Sequence, residues 1–328
     1  MVGCGDSKMT VNFDHLRFAR YRITIAAGEN GLVLPPHKGS TFRGGFGNVF
    51  RRITCALREK DCGSCLLRER CPYAYVFETA PPAGSQALSK YESIPRPFVI
   101  EPPPEEKTEY APGETLIFYL LLFGKAIEFL PYFILVFREM EEAGIGRGRQ
   151  PFKVLSISAV GLDQEEVIYT AGTNTVRGVN LTFTGNDLLK ALPAVNGRLS
   201  VRFITPFWLK DQGSLAPVPE FHILFRQAMR RISALSYFHH EIALEADYAG
   251  LAARSRHVAL VENNTHWQYW ERYSRRQQQR ITQGGLVGDV VYEGDLEEFI
   301  PWLVIGEQVH VGKNTVFGLG KYSLNYLD

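Results

Sequence analysis

The sequence predicts an α+β protein, and three observations predict it. Stretches in which apolar and polar residues alternate with period two are interleaved with stretches of helical spacing. The first half runs strand, helix, strands, helix, strand, which is the split βαβ order. A similar series begins again near Leu199, after an Asn-, Gly- and Thr-rich stretch at 172–198 that reads as a crossover. With 328 residues, 45% of them hydrophobic and 22% charged, the chain can bury two cores of ordinary size.

The first strand is expected over 16–26. Tyr21, Ile23 and Ile25 point one way, while Arg20, Arg22 and Thr24 form a basic open face. A loop follows over 28–38. Helical spacing then carries Phe42, Phe46, Val49, Phe50, Ile53 and Leu57 on one stripe, leaving Arg51 and Arg52 outside it. Gly44, Gly45 and Gly47 weaken this helix locally. A cysteine-bearing loop at 55–71 leads to an expected strand at 73–77. The proline-rich stretch 95–104 reads as an extended connector. Residues 116–123 form a strand, and Ile127, Leu130, Phe133, Ile134, Phe137 and Met140 mark a second amphipathic helix, with Pro131 near its start or bending it. Segments 152–161 and 166–170 close this half as a hairpin.

The second half opens with a strand over 199–208. Its helix has Phe221, Leu224, Phe225, Ala228, Ile232 and Leu235 on the apolar face, and ends at His239 and His240, where positive charge complements the helix dipole. Strands are expected near 266–273 and 287–292. A short helix after Asp295 has Glu298 as its capping-box partner, and a last strand runs over 322–327.

The net charge is only +1, which argues against a uniformly basic nucleic-acid binder. The charge is unevenly placed, however. Arginines cluster at 43, 51, 52 and 58, at 226, 230 and 231, and at 272, 275, 276 and 280, whereas acid gathers at 101–106 and 289–298. Local basic stripes suit an electrostatic track for RNA, although ordinary solvated surface is the usual explanation of any one cluster. Residues 1–10 have no apolar core of signal-peptide length, and residues 1–12 read as a flexible tail. The most apolar region, 116–137, is broken by Lys125, Glu128 and Pro131, whereas a membrane span needs about 20 clean residues. The expected location is cytoplasmic, with no membrane contact.

Cys55, Cys62, Cys65 and Cys71 are spaced C-x₆-C-x₂-C-x₅-C, with a Gly63-Ser64 turn between the inner pair. Four thiols at this spacing suit a closed tetrahedral site, and the expectation is structural zinc. An iron–sulfur cluster is the alternative metal, and disulfides or unliganded thiols are the non-metal readings. A closed shell leaves no place for a catalytic water. Cys4 falls in the tail.

The segment 310–322, HVGKNTVFGLGKY, packs glycines, lysines, an Asn and a Thr directly before the last strand. Glycine exposes backbone N–H groups and lets the chain lie close to a ligand, and Lys313 and Lys321 add charge, so the loop suits a polyanion. It lacks the order and following helix of a nucleotide P-loop. The G-K-x-T-x-F-G-x-G pattern feeding a final strand resembles the glycine-rich loop of the RAMP-superfamily endoribonucleases that process precursor CRISPR RNA. The segment 34–47, LPPHKGSTFRGGFG, is similar to that family's link between first strand and first helix. Thr205-Pro206-Phe207 and the 284–288 run GGLVG, with Tyr292 after it, agree in order.

That resemblance implies two ferredoxin-like units in tandem, here 13–190, with the cysteine loop inside it, and 198–328, with the glycine-rich loop 312–320. It also implies metal-independent cutting of CRISPR repeat RNA to mature crRNA. RNA carries its own nucleophile: removal of the 2′-hydroxyl proton lets that oxygen attack the adjacent phosphorus, leaving a 2′,3′-cyclic phosphate and a 5′-hydroxyl. This needs a general acid or base near neutrality and a cation for the phosphorane. His37, after a rigid Pro-Pro, and the adjoining Lys38 are the candidates. No Tyr or His stands inside the first helix, where Phe42, Phe46 and Phe50 occupy the faces. RNA contacts are expected from Arg20, Arg22, Arg43, Arg51, Arg52, Arg275, Arg276 and His310. The loop residues Gly312, Lys313, Asn314, Thr315, Gly318, Gly320 and Lys321 complete the set. His266, Trp267, Tyr269 and Trp270 form an aromatic stretch suited to base stacking or to a core. The competing reading is a catalytically silent RAMP subunit that holds guide RNA among the subunits of a CRISPR effector complex; a homodimer is also open.

Overall fold

The computed structural model describes residues 11–57, 61–79, 94–173, 175–190, 192–193, 195–211, 213–274 and 279–327. Alternation sets the first strand, β1 (Arg17–Ala27), which buries Tyr21, Ile23 and Ile25 and leaves Arg20, Arg22 and Thr24 partly open. The chain continues through β2 (Leu32–Val33), α1 (Gly39–Thr54), α2 (Pro72–Phe77), β3 (Phe98–Glu101), β4 (Glu109–Tyr110) and β5 (Thr115–Phe123). Then come α3 (Leu130–Ala143), β6 (Phe152–Val160), β7 (Glu165–Thr170), β8 (Phe183–Thr184) and α4 (Gly185–Leu189). The second half contains β9 (Arg198–Phe207), β10 (Lys210–Asp211), β11 (Ser214–Leu215), α5 (Phe221–His240) and α6 (Tyr248–Arg254). It ends with β12 (Ala259–Ser274), β13 (Gln279–Glu293), α7 (Ile300–Val309) and β14 (Tyr322–Tyr326).

The main sheets repeat one plan. In the first, β1 lies between β5 and β6, and β3 pairs the far edge of β5; in the second, β9 lies between β13 and β14, with β12 outside β13. Each is antiparallel, and each places the first strand of its unit at the centre. This is the ferredoxin-like order twice over, as expected. The first core stacks Phe42, Phe46 and Phe50 of α1 on Phe133 and Phe137 of α3 over one sheet face. Phe18, Val99, Leu121 and Phe123 face the other way and join the core of the second half, so the two halves share apolar surface.

Four local expectations need correction. Residues 73–77 are helical, because Pro72 occupies the first turn with its φ already set and needs no N–H there. The proline stretch 95–104 contains β3, whose four residues are all buried; prolines bracket the strand but leave its own N–H groups free to pair with β5. The β12–β13 hairpin is far longer than 266–273 and 287–292, spanning Ala259–Ser274 and Gln279–Glu293. The last helix starts at Ile300 without a side-chain cap, and Glu298 instead pairs with Arg254 at 2.7 and 2.8 Å. The expected tail, apart from residues 11 and 12, and Cys4 lie outside the described residues. Among the described residues no helix is long and apolar enough to cross a membrane.

Candidate functional site

Two prolines fix the chain just before α1 and present His37 half-buried, its ring centroid 5.4 Å from that of Trp270 on β12. Helix α1 and the glycine-rich loop then meet in backbone contact. A Cβ on Gly39 would lie 1.8 Å from the carbonyl oxygen of Phe317, so only glycine admits this approach. The approach closes a cavity of about 270 Å³ whose lining includes His37, Ser40, Tyr119, Gln268, Trp270 and Lys321. Burial pushes the His37 imidazole below its ordinary 6.5; the Glu106 carboxylate opposes that shift and the Lys38 charge adds to it. The site therefore favours a neutral imidazole, able to accept a proton at physiological pH.

Lys38 departs from its expected place. It is fully buried, and its ammonium donates to the carbonyls of Glu105 (2.6 Å) and Pro36 (3.3 Å). It ties the His37 loop to the acidic connector and does not face the cavity. His310 departs as well: it is fully buried, with Nδ1 3.0 Å from the Leu319 carbonyl and Nε2 2.8 Å from Glu101 Oε1. It braces the loop from beneath and has no surface for RNA.

Glu101, at the end of β3, gathers the charges of this region. Besides His310, its Oε2 accepts from Lys321 Nζ at 3.0 Å and Arg20 at 3.1 Å. Burial raises its pKa, but His310, Lys321 and Arg20 outweigh that and hold the carboxyl well below the usual range. The Arg20 guanidinium also lies 4.3 Å from the Tyr119 ring centroid. Lys321 is thereby held by one carboxylate oxygen while about a third of its side chain stays accessible at the cavity wall. The loop conformation depends on positive φ at Gly312, Asn314, Gly318 and Gly320. A Cβ on Gly318 would collide with the Pro102 ring, and one on Gly320 with the Val311 carbonyl. Thr315 is buried, whereas Lys313 is exposed.

The remaining arginines divide. Arg22 pairs with Glu165 and Arg52 with Glu139. Arg43 lies against the Phe77 and Phe317 rings, and Arg51 against Tyr73. Arg43 and Arg52, with Arg147 and Arg149 of the α3–β6 turn, line a groove of about 790 Å³ along α1, which shares Ser40 and Phe317 with the His37 cavity. Arg147 and Arg149 were missed because they stand in a glycine turn and not in an arginine cluster. Arg275 and Arg276 lie outside the described residues.

The described residues give the zinc expectation no support. The thiols of Cys55, Cys62, Cys65 and Cys71 are unpaired and half-buried, and the described residues contain no group of three or more His, Cys, Asp or Glu placed to hold a metal. A polar turn orders the segment instead: Asp61 accepts from Gly63 N (2.9 Å) and Ser64 Oγ (3.0 Å), and Arg68 donates to the Gly63 carbonyl. Burial pushes the Cys62 thiol up, away from thiolate.

Comparison with known proteins agrees with this architecture. A family model described as AF_1859_N, N-terminal domain, matches residues 16–181, and one described as CRISPR-associated endoribonuclease Cas6 matches residues 201–322. An uncharacterised protein of Archaeoglobus fulgidus is 24% identical over 295 residues, covering 89% of this chain and 92% of its own. The product complex of Cas6 TTHB231, a Thermus thermophilus protein, superposes with a TM-score of 0.56 at 15% identity, over 94% of this chain and 100% of its own. That of Cas6 TTHA0078 gives 0.52 at 18%, over 94% and 99%. Likeness at these identities carries the fold.

Proposed function

We propose that this chain, whose first half is an AF_1859_N domain, is a CRISPR-associated RAMP-superfamily endoribonuclease that processes precursor crRNA by a metal-independent cut with His37 as general base. The observation that carries the reading is the meeting of His37 and Lys321 on one cavity, where α1 abuts the glycine-rich loop. His37 takes the 2′-hydroxyl proton; O2′ attacks the adjacent phosphorus; the bond to O5′ breaks, and that oxygen takes a proton from water. A 2′,3′-cyclic phosphate and a 5′-hydroxyl result. Lys321, not the buried Lys38, supplies the cation facing the phosphorane, and Lys38 positions the His37 loop. On this reading 13–190 and 198–328 are the two RAMP units. The chain acts in the cytoplasm, and the crRNA passes to subunits of a CRISPR effector complex.

The test uses labelled repeat RNA in EDTA. Cutting should persist, with cyclic-phosphate ends, and a 2′-deoxy nucleotide at the scissile position should abolish cutting while binding remains. Cutting that stops in EDTA and returns with magnesium would overturn the metal-independent step. Tight binding without any cutting would make the chain an RNA-holding subunit.

The pH dependence follows from the same ring. As pH falls through the His37 pKa the base is protonated and the rate declines, so the acid limb of the kcat/KM profile, which reports the free chain, should lie below pH 6.5. Glu106 favours the imidazolium, hence Glu106→Gln should move that limb to still lower pH. A shift to higher pH in this variant would contradict the electrostatic assignment.

A further inference from the structure

The β12–β13 hairpin carries a further cleft, of about 620 Å³, lined by Trp208, Thr265, Trp267, Tyr269, Gln283 and Leu286 among others. Its aromatic rings form a row. The Trp208 and Trp267 centroids are 6.0 Å apart, and those of Trp267 and Tyr269 are 6.1 Å apart. Tyr269 is 71% exposed, far more than a core role requires, whereas its neighbour Trp270 is buried. The row depends on a particular glycine: Gly284 pairs with Tyr269 across the ladder, and a Cβ there would fall 2.0 Å from Trp267 Nε1. Any larger residue would displace the indole.

Two further features connect this cleft to an anionic polymer. Lys313 of the glycine-rich loop is exposed, and its ammonium sits 5.2 Å from the Trp208 ring centroid, so a cation stands beside the aromatic surface. Gln283 lines both this cleft and the His37 cavity, and it accepts a hydrogen bond from Asn314 of the loop at 3.4 Å. A chain leaving the His37 cavity past Gln283 therefore meets aromatic faces and a phosphate-seeking cation together. Bases present a π-face whatever their sequence, but only unpaired bases can lay it on a side chain.

We propose that Trp208, Trp267 and Tyr269 form a stacking platform for unpaired nucleotides adjoining the cleavage position, with Lys313 holding a phosphate between them. The inference rests on the RNA-cutting reading for the identity of the polymer. It adds that part of the substrate must be single-stranded at this face.

Titrating the full chain with a short single-stranded oligoadenylate, read by tryptophan fluorescence, tests it without any scissile repeat. Saturable quenching is expected in the wild type. Tyr269→Ala should weaken binding about ten-fold, while Tyr269→Phe keeps most of it. Lys313→Ala should weaken binding and flatten its salt dependence. An RNA duplex of the same length should fail to compete. Circular dichroism on each variant separates lost binding from lost fold, and Tyr269 is exposed enough to replace without unfolding. Equal affinity of wild type and Tyr269→Ala for the oligoadenylate, or absence of quenching in the wild type, would overturn the platform even if repeat RNA is cut. Quenching that follows the expected order without any cutting of repeat RNA would keep the platform and remove the nuclease reading.

Discussion

His37→Ala should slow single-turnover cleavage of saturating repeat RNA by about 10²–10⁴-fold while leaving RNA affinity within a few-fold. The size follows from the role. A general base contributes only as the proton leaves, so its loss falls on the chemical step and spares ground-state binding. The placement supports the assignment: the ring is half-buried on Trp270, in a setting that lowers its pKa and keeps it neutral, and it faces a cavity that also receives Lys321. Two other histidines are occupied. His310 is spent on Glu101 and the Leu319 carbonyl, and His15 Nε2 contacts Ser236 Oγ at 2.6 Å. A wild-type rate in His37→Ala would eliminate this ring as the base.

Period-two alternation placed β1 correctly because one of its faces is buried and the other is not. The same logic misled at 73–77, where Tyr73, Tyr75 and Phe77 alternate, yet Pro72 and six residues of helix win. His37 could be singled out because prolines and glycines around it constrain the backbone. Lys38 and His310 were legible as charge-bearing residues but not as buried ones, since sequence gives a side chain and not its partner. Glu101 opens the acidic run 101–106 and ends a strand with prolines on either side, and nothing local announces that a carboxylate there will meet three donors from elsewhere. His239 shows the same limit. It was expected to charge a helix end, but Tyr75 donates to its Nδ1 at 3.0 Å and its Nε2 donates to the Pro95 carbonyl at 2.7 Å. Burial leads the causes that push it down to about 4, so the ring stays neutral.

Glu101→Gln should destabilise the folded chain by about 3–5 kcal/mol, the usual cost of breaking one member of a buried ionic cluster. Glu101 belongs to the first sheet, and its partners His310 and Lys321 flank the glycine-rich loop of the second half, so the carboxylate joins the halves where they form the cavity. An amide retains the shape but turns N–H donors toward groups that already donate. Urea unfolding at pH 7 should show the full difference between wild type and variant. Because the folded-state pKa is depressed, the stabilisation is present above the unfolded carboxylate value, about 4.3, and is lost as pH falls toward the folded one. The two unfolding curves should therefore converge in strong acid, and a gap that widens there would contradict the linkage. Pairing Glu101→Gln with His310→Gln should cost clearly less than the sum of the single changes, since both remove the same contact. Cleavage should fall as well, because Lys321 loses the group that holds it at the cavity wall. A variant within about 0.5 kcal/mol of wild type, the range of an ordinary surface change, would show that the carboxylate does not clasp the halves.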